Sequence, residues 1–397
     1  MPRKSRVDVP TPFLDKRHGT ERCVAEQLER LAGDFDIHVY SSRVEDSDLD
    51  RIHWRKVAPL PGPHLTAFLW WFVANSFLRW LDRTRRGTPT DLVYTPGINC
   101  LDADIISVHI VFAEFYSRVK SKLRLFKNPA SSWPKLIHRR LYYHLICMLE
   151  RRIYSRADVC LVAVSRKVAE DLTRYYGRTE NLHVVYHGCD LKSFSPSRRS
   201  VLRAEARAAL GLGDLDFAIL LIGNDWQKKG LQSLLEAVAS LSTHFLRILI
   251  VGNDNPAPFR RLLEQKALAG RVQFLPLRQD PEFYYASTDL YAGPSLEDAF
   301  ALPPLEAMAC GLPVIVSRRA GVSEIVHHGE DGIILDDPED SATLAKWIEK
   351  IMVDAEFRRA LSENAARTAQ SYTWEKNAAE MKAIFDQILG CRQSTSS

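Results

Sequence analysis

Asp298 and Glu306 bracket seven residues inside the segment Ser295–Ser317, SLEDAFALPPLEAMACGLPVIVS, and are the side chains best placed for chemistry. Pro303 and Pro304 suit the opening of a helix, where a missing N–H costs nothing. Leu305, Met308 and Ala309 supply an apolar helical face, Gly311 suits a C-terminal cap, and Pro313–Ser317 reads as a short buried strand. The spacing predicts one carboxylate in the loop before the helix and the other in its first turn. Carboxylates accept paired hydrogen bonds from vicinal hydroxyls, so this pattern suits a polyol.

A second segment, Ile222–Gly230 (IGNDWQKKG), leaves an apolar strand and runs into a predicted helix over Leu231–Leu241. A loop in that position presents backbone N–H groups and the positive end of the helix, which attract phosphate. Lys229 adds a mobile point charge suited to a diphosphate. His109 closes an apolar strand, Ile105–His109, a position that fits a structural imidazole as well as a functional one. Two further patterns are weaker. Asp102-Ala103-Asp104 has a metal-binding D-x-D form but sits where those acids finish a loop, and His327-His328 reads as a solvated helix end.

Positioning these groups requires strands that alternate with helices, the mark of an α/β chain with parallel sheets. The strand candidates are Ile37–Tyr40, Leu92–Tyr94, Ile105–His109, Val159–Ala163 and His183–Tyr186, then Ala218–Ile222, Ile248–Val251, Val272–Leu275, Leu290–Ala292, Val314–Val316 and Ile333–Leu335. The polar stretch near Lys192–Arg199 reads as a linker, giving domains over 1–195 and 196–371 and a closing helix over 372–391. The first strand is awkward, because Arg6–Phe13 carries Asp8 and Pro10, and proline is poorly tolerated inside a sheet. Either that strand is very short or the N-terminus departs from the pattern.

The 397 residues suffice for two cores. A hydrophobic content of 46% and a charged content of 26% are those of a soluble globular protein. Seven cysteines stand without paired spacing, which argues against a zinc site or a disulfide framework and favours a reducing compartment. The basic N-terminus has no apolar run behind it, so no secretory leader is expected. Leu65–Leu81, interrupted by Asn75, Ser76 and Arg79, reads as a buried or interfacial helix and is too short in its apolar core to span a bilayer. Between Ser117 and Arg156 eleven Lys/Arg stand against one acid, Glu150. Such a block is either a solvated helix face or a surface for anionic lipid; no nucleic-acid motif accompanies it.

The Ser295–Ser317 segment resembles the nucleotide-sugar signature of the retaining glycosyltransferases of family 4, which have the GT-B fold: two Rossmann-like domains facing a central cleft, with a C-terminal helix crossing back to the first domain. The family pattern has a Glu where Asp298 stands and glycines where Ala299 and Ala301 stand. Val184–Pro196 is similar to the family's interdomain passage. In the loop after Ile222, Lys229 matches a diphosphate-binding lysine, while Asn224 replaces an arginine. Asn224, Asp225, Lys228 and Lys229 together resemble the variant found in lipopolysaccharide-core glucosyltransferases.

The resemblance implies a hexose transferred from a nucleoside diphosphate sugar, UDP-linked or GDP-linked, to a glycan or glycolipid in cell-envelope synthesis. Glu306 would hold the ribose, Asp298 the transferred sugar, and Lys229, Lys228 and Asn224 the diphosphate. Gly321 and Val322 in Arg319–Val326 and Gly19 and Thr20 in His18–Leu31 would approach the donor, Arg278 the nucleobase, and His109 the reacting sugar. It implies no cofactor beyond the donor substrate and no metal. With this family as context, the basic block points to the inner face of the plasma membrane, with the protein in the cytoplasm. The departures also fit a non-catalytic scaffold on the same fold; a phosphorylase or epimerase is a third reading, without a PLP-lysine signature in its support.

Overall fold

The computed structural model describes residues 3–16, 19–46, 48, 50–86, 89–120 and 133–396. Part of the basic block, 121–132, and His18 lie outside them. The chain divides into two compact units, Met1–Tyr186 with Asn377–Ser397, and His187–Lys376.

The first unit contains β1 (Arg6–Pro10), β2 (Phe13–Leu14), α1 (Gly19–Leu31), β3 (Asp36–Ser41), β4 (Arg43–Val44), β5 (His53–Lys56), α2 (His64–Arg86), β6 (Leu92–Pro96), β7 (Ile105–Val108), α3 (Phe112–Val119), α4 (Trp133–Tyr154), β8 (Cys160–Ala163), α5 (Arg166–Tyr176) and β9 (Leu182–Val184). Seven strands form a parallel sheet in the order β5-β3-β1-β6-β7-β8-β9, while β2 and β4 pair separately. β1 is a full strand at the centre of its sheet. Its Asp8 is fully buried and tolerated because Arg6 Nε donates to it at 2.9 Å and Thr90 Oγ1 at 2.7 Å. Pro10 ends the strand, beyond the pairing with β6 at Val7 and Asp8.

The second unit contains α6 (Pro196–Ala209), β10 (Phe217–Ile222), α7 (Leu231–Ser240), β11 (Leu246–Val251), α8 (Arg260–Gln265), β12 (Val272–Leu275), α9 (Glu282–Ser287), β13 (Leu290–Gly293), α10 (Leu302–Ala309), β14 (Val314–Ser317), β15 (Ile333–Leu335), α11 (Ser341–Val353) and α12 (Ala355–Ala369). Its sheet is parallel in the order β12-β11-β10-β13-β14-β15. The strands β10 and β14, apolar but for Ser317, are buried, as strands covered on both faces must be. The division at Tyr186/His187 precedes the 195/196 boundary read from polarity. Pro196 stands in the first turn of α6, capped by Ser195, and Arg199, Arg203 and Arg207 of that helix donate to the Ala286–Thr288 carbonyls.

The last helix, α13 (Trp374–Ser396), belongs to the first unit from Asn377 onward. Met381, Ile384 and Phe385 enter the core that holds Val7, Val9 and Ile37.

Candidate functional site

In the second unit the strand order reverses between β10 and β13, and the loops leaving those two strands meet at their carboxyl ends. Ligands of open α/β sheets bind at such a point. The loop after β10 begins at Gly223 and is anchored by Trp226, buried against Phe274 at 5.0 Å between rings. Asp254 Oδ2 accepts the Trp226 N–H at 2.8 Å, and Asn224 Oδ1 accepts the Asn253 N–H at 2.9 Å. Asn224 therefore ties its loop to the one after β11 and brings no cation to the position where the family has arginine. Lys228 pairs with Asp225 at 3.0 Å on the surface.

The loop after β13 is bound to the first loop by the Leu296 N–H, which donates to the Lys228 carbonyl at 2.7 Å. Lys229 Nζ and Asp298 Oδ2 form an ion pair across the two loops, both side chains about four-fifths covered. Asp298 is held on its backbone as well: its N–H donates to the Arg319 carbonyl and its carbonyl accepts from Gly321 N–H at 3.1 Å. The Val322 N–H donates to the Phe300 carbonyl at 2.7 Å. Gly321 and Val322 thus form a floor beneath the Asp298 loop, in a 3-10 turn over Gly321–Ile325.

Glu306 is the fifth residue of α10, which starts at Leu302, so it stands in the second turn and not the first. It is buried, and Tyr285 Oη donates to its Oε2 at 2.7 Å. Asp298 and Glu306 share a neighbour. The Tyr291 hydroxyl is raised above the usual phenol range, first by burial and then by these two carboxylates. Tyr285 was missed in the sequence, where it reads only as one aromatic of EFYYAS.

Arg278 is engaged within its own segment. Asp280 holds its guanidinium through two contacts of 2.8 Å, and the group lies 4.1 Å above the Phe283 ring. In the first unit, His109 follows β7 and is half-buried; burial pushes its imidazole down to about 4, so it is neutral at physiological pH. Gly19 and Thr20 open α1, and a Cβ added at Gly19 would meet nothing within 4 Å. Asp102 is taken up by Arg79 and Arg83, and Asp104 by the Val93 N–H and Arg392. His327 is held by Asp331 at 2.8 Å, and His328 packs on Trp347. Asp36, His38 and His53 bring their ligand atoms within 4.8 Å of one another. Contacts of 3.1 and 3.3 Å from Asp36 to the two imidazoles let hydrogen bonding alone account for that grouping.

Ala301 has φ +73° and ψ 101°, a conformation that glycine adopts freely and alanine does not. It is one of the two positions where the resembling pattern has glycine. Relief of a strain of this kind is worth about 1 kcal/mol. Ala301→Gly should therefore raise the calorimetric Tm by about 2–4 °C. An unchanged or lower Tm would show that the surrounding loops already accommodate the alanine.

Two family models match the chain, "Glycosyltransferase Family 4" over residues 17–193 and "Glycosyl transferases group 1" over residues 203–368. A D-inositol 3-phosphate glycosyltransferase of Corynebacterium urealyticum is 30% identical over 263 residues, 63% of this chain and 61% of that protein. The counterpart in Rhodococcus jostii is 32% identical over 58% of this chain and 52% of its own length. These matches thus span little more than half of each relative. Among solved structures, WaaG, a glycosyltransferase involved in lipopolysaccharide biosynthesis, superposes with a TM-score of 0.78 at 20% identity, covering 96% of this chain and 99% of its own. Anabaena HepE in complex with UDP and glucose gives 0.69 at 20% identity, covering 96% and 99%. At this identity the likeness carries the fold, two parallel-sheet Rossmann-like units of the GT-B type.

Proposed function

Since the chain belongs to the glycosyltransferases of family 4, we propose that it is a retaining hexosyltransferase using a nucleoside diphosphate sugar, with UDP favoured over GDP. The observation that carries this reading is the meeting of Lys229 and Asp298 at the strand-order reversal, with Glu306 buried in the helix that follows the Asp298 loop. A diphosphate and a sugar hydroxyl would each replace one half of that ion pair. Lys229 then neutralises the charge that develops on the departing diphosphate, electrostatic work that commonly contributes most to rate. Glu306, aimed by Tyr285, accepts hydrogen bonds from the ribose hydroxyls. Asp298 accepts from the transferred hexose with a shorter reach than glutamate.

In a front-face transfer a leaving phosphate oxygen takes the acceptor proton. His109 is read as a group that positions and polarises the sugar, consistent with an imidazole held neutral. Lysine and helix termini supply the charge, so the reading needs no metal or cofactor. A glycan or glycolipid of the cell envelope is the proposed acceptor, met at the cytoplasmic face of the membrane through the basic face of α4. The UDP bound to HepE and the inositol 3-phosphate in the relatives' names support the donor class and a polyol acceptor. The scaffold reading retains one observation in its favour, the side chain of Asn224 committed to Asn253 where a cation would serve catalysis.

Isothermal titration with UDP and GDP, followed by a donor-hydrolysis assay, tests this reading. Glu306→Gln keeps an oxygen for Tyr285 but removes the charge that pairs with ribose. A charged hydrogen bond is worth about 1.5–3 kcal/mol. The variant should therefore bind nucleotide about tenfold to a hundredfold more weakly at unchanged Tm. Wild-type affinity in the variant would remove Glu306 from the donor site; binding of neither nucleotide by the wild type would favour the scaffold.

A further inference from the structure

One face of α2 is apolar and uncovered. Leu69, Trp70, Val73, Phe77 and Trp80 are 44%, 44%, 64%, 55% and 56% exposed. Their spacing of three and four residues puts them on a single stripe of the helix. The opposite side is the buried one: Trp71, Asn75 and Arg79 face inward, Asn75 donating to the Asn99 carbonyl and Arg79 to Asp102. The stripe is thus fixed outward by ties at the back of the helix.

The adjoining helix α4 meets α2 through Phe68 and Tyr142, rings 5.9 Å apart, and carries a stripe of its own. Ile137, Leu141 and Met148 are exposed there, flanked by exposed Arg140, Arg151 and Arg152. Tryptophan and phenylalanine beside arginine, on helices not apolar enough to cross a bilayer, have the composition of an interfacial surface.

We infer that the exposed stripe of α2 is a membrane-docking surface that inserts Val73, Phe77 and Trp80 into the headgroup region of an anionic bilayer, with the arginines of α4 contacting the lipid phosphates. This rests on the membrane-surface reading of the basic face given above and adds the element that enters the lipid. The occupant is a lipid surface because arginines flank the exposed stripe of the adjoining helix α4 and the aromatic rings of α2 carry the amphipathic character that interfaces favour.

The test is flotation of the full chain with phosphatidylcholine vesicles, with and without phosphatidylglycerol. Two variants are compared with wild type, Val73→Gln/Phe77→Gln/Trp80→Gln and Arg140→Gln/Arg151→Gln/Arg152→Gln. The targeted side chains are exposed, so both variants should keep the wild-type Tm and donor-hydrolysis rate. Wild type should float only with the anionic vesicles, and the α2 variant should partition at least about tenfold more weakly. Full binding by the α2 variant with loss in the arginine variant would overturn the α2 proposal and leave the electrostatic reading standing. No flotation of wild type would overturn both. A monomer–dimer equilibrium by sedimentation that the α2 variant abolishes, without lipid binding, would assign the stripe to a second copy of the chain. Loss of donor hydrolysis in wild type bears on the transferase reading alone.

Discussion

Replacing Lys229 with alanine should lower kcat for transfer or donor hydrolysis by about 10²–10³-fold, the usual cost of deleting one preorganised donor to a developing oxyanion. The side chain reaches from the loop after β10 to the loop after β13, and its partner Asp298 is fixed through both its N–H and its carbonyl. Truncation therefore removes a positive charge from the site and leaves a largely covered carboxylate without its counter-ion. The second effect separates the role of Lys229 in catalysis from its role in holding Asp298. Asp298→Asn alone should lower kcat by weakening the grip on the sugar while lowering nucleotide affinity little. The Lys229→Ala/Asp298→Asn pair should lose less than the product of the single losses, because the two groups act on each other before they act on substrate. Lys229→Arg should recover part of the rate. A Lys229→Ala variant with near-normal kcat would eliminate the diphosphate role, and strictly multiplicative losses would show that the ion pair is incidental to catalysis.

The alternation of apolar runs and helices was legible because buried parallel strands have little freedom in composition; LRILIV and FAILLI can hardly be anything else. β5, with the sequence HWRK, was invisible for the converse reason: it is an edge strand with exposed ends and no apolar pattern, placed by its pairing with β3. Asp8 discouraged a strand at β1 because the partners that make its burial tolerable, Arg6 and Thr90, include one far away in sequence. At the site, spacing alone suggested that Asp298 and Glu306 belong together. It could not show that Lys229 and Asp298 neutralise each other, that Tyr285 orients Glu306, or that Arg278 is held by Asp280 and Phe283. The first two are tertiary facts, each requiring segments far apart in sequence to converge, whereas the Arg278 contacts are local to its own segment and depend on how that segment turns. Ala301 is the opposite case, a departure visible in the sequence whose physical meaning emerges only from a positive φ.

Gly230→Ala should destabilise the protein by about 3 kcal/mol, enough to lower Tm by roughly 6–12 °C. Two costs combine. Gly230 caps α7 with φ +76°, a left-handed conformation that disfavours any Cβ by about 1 kcal/mol or more. In addition, a Cβ built there would lie 1.9 Å from the Pro294 carbonyl oxygen, so the loops after β10 and β13 would have to separate. That separation also breaks the Leu296 to Lys228 hydrogen bond and draws Lys229 from Asp298, so activity should fall with stability. Gly19 provides the contrast. Its backbone lies outside the left-handed region and its Cβ direction is open, so Gly19→Ala should leave Tm within about 1 °C of wild type. If Gly19 gives the donor close backbone approach, that variant should nevertheless raise KM for the sugar nucleotide. Calorimetry and donor kinetics on the two variants thus distinguish a glycine that lets two loops meet from one that lets a ligand approach. A stable, active Gly230→Ala would refute the loop contact, and an unchanged KM in Gly19→Ala would remove Gly19 from the site.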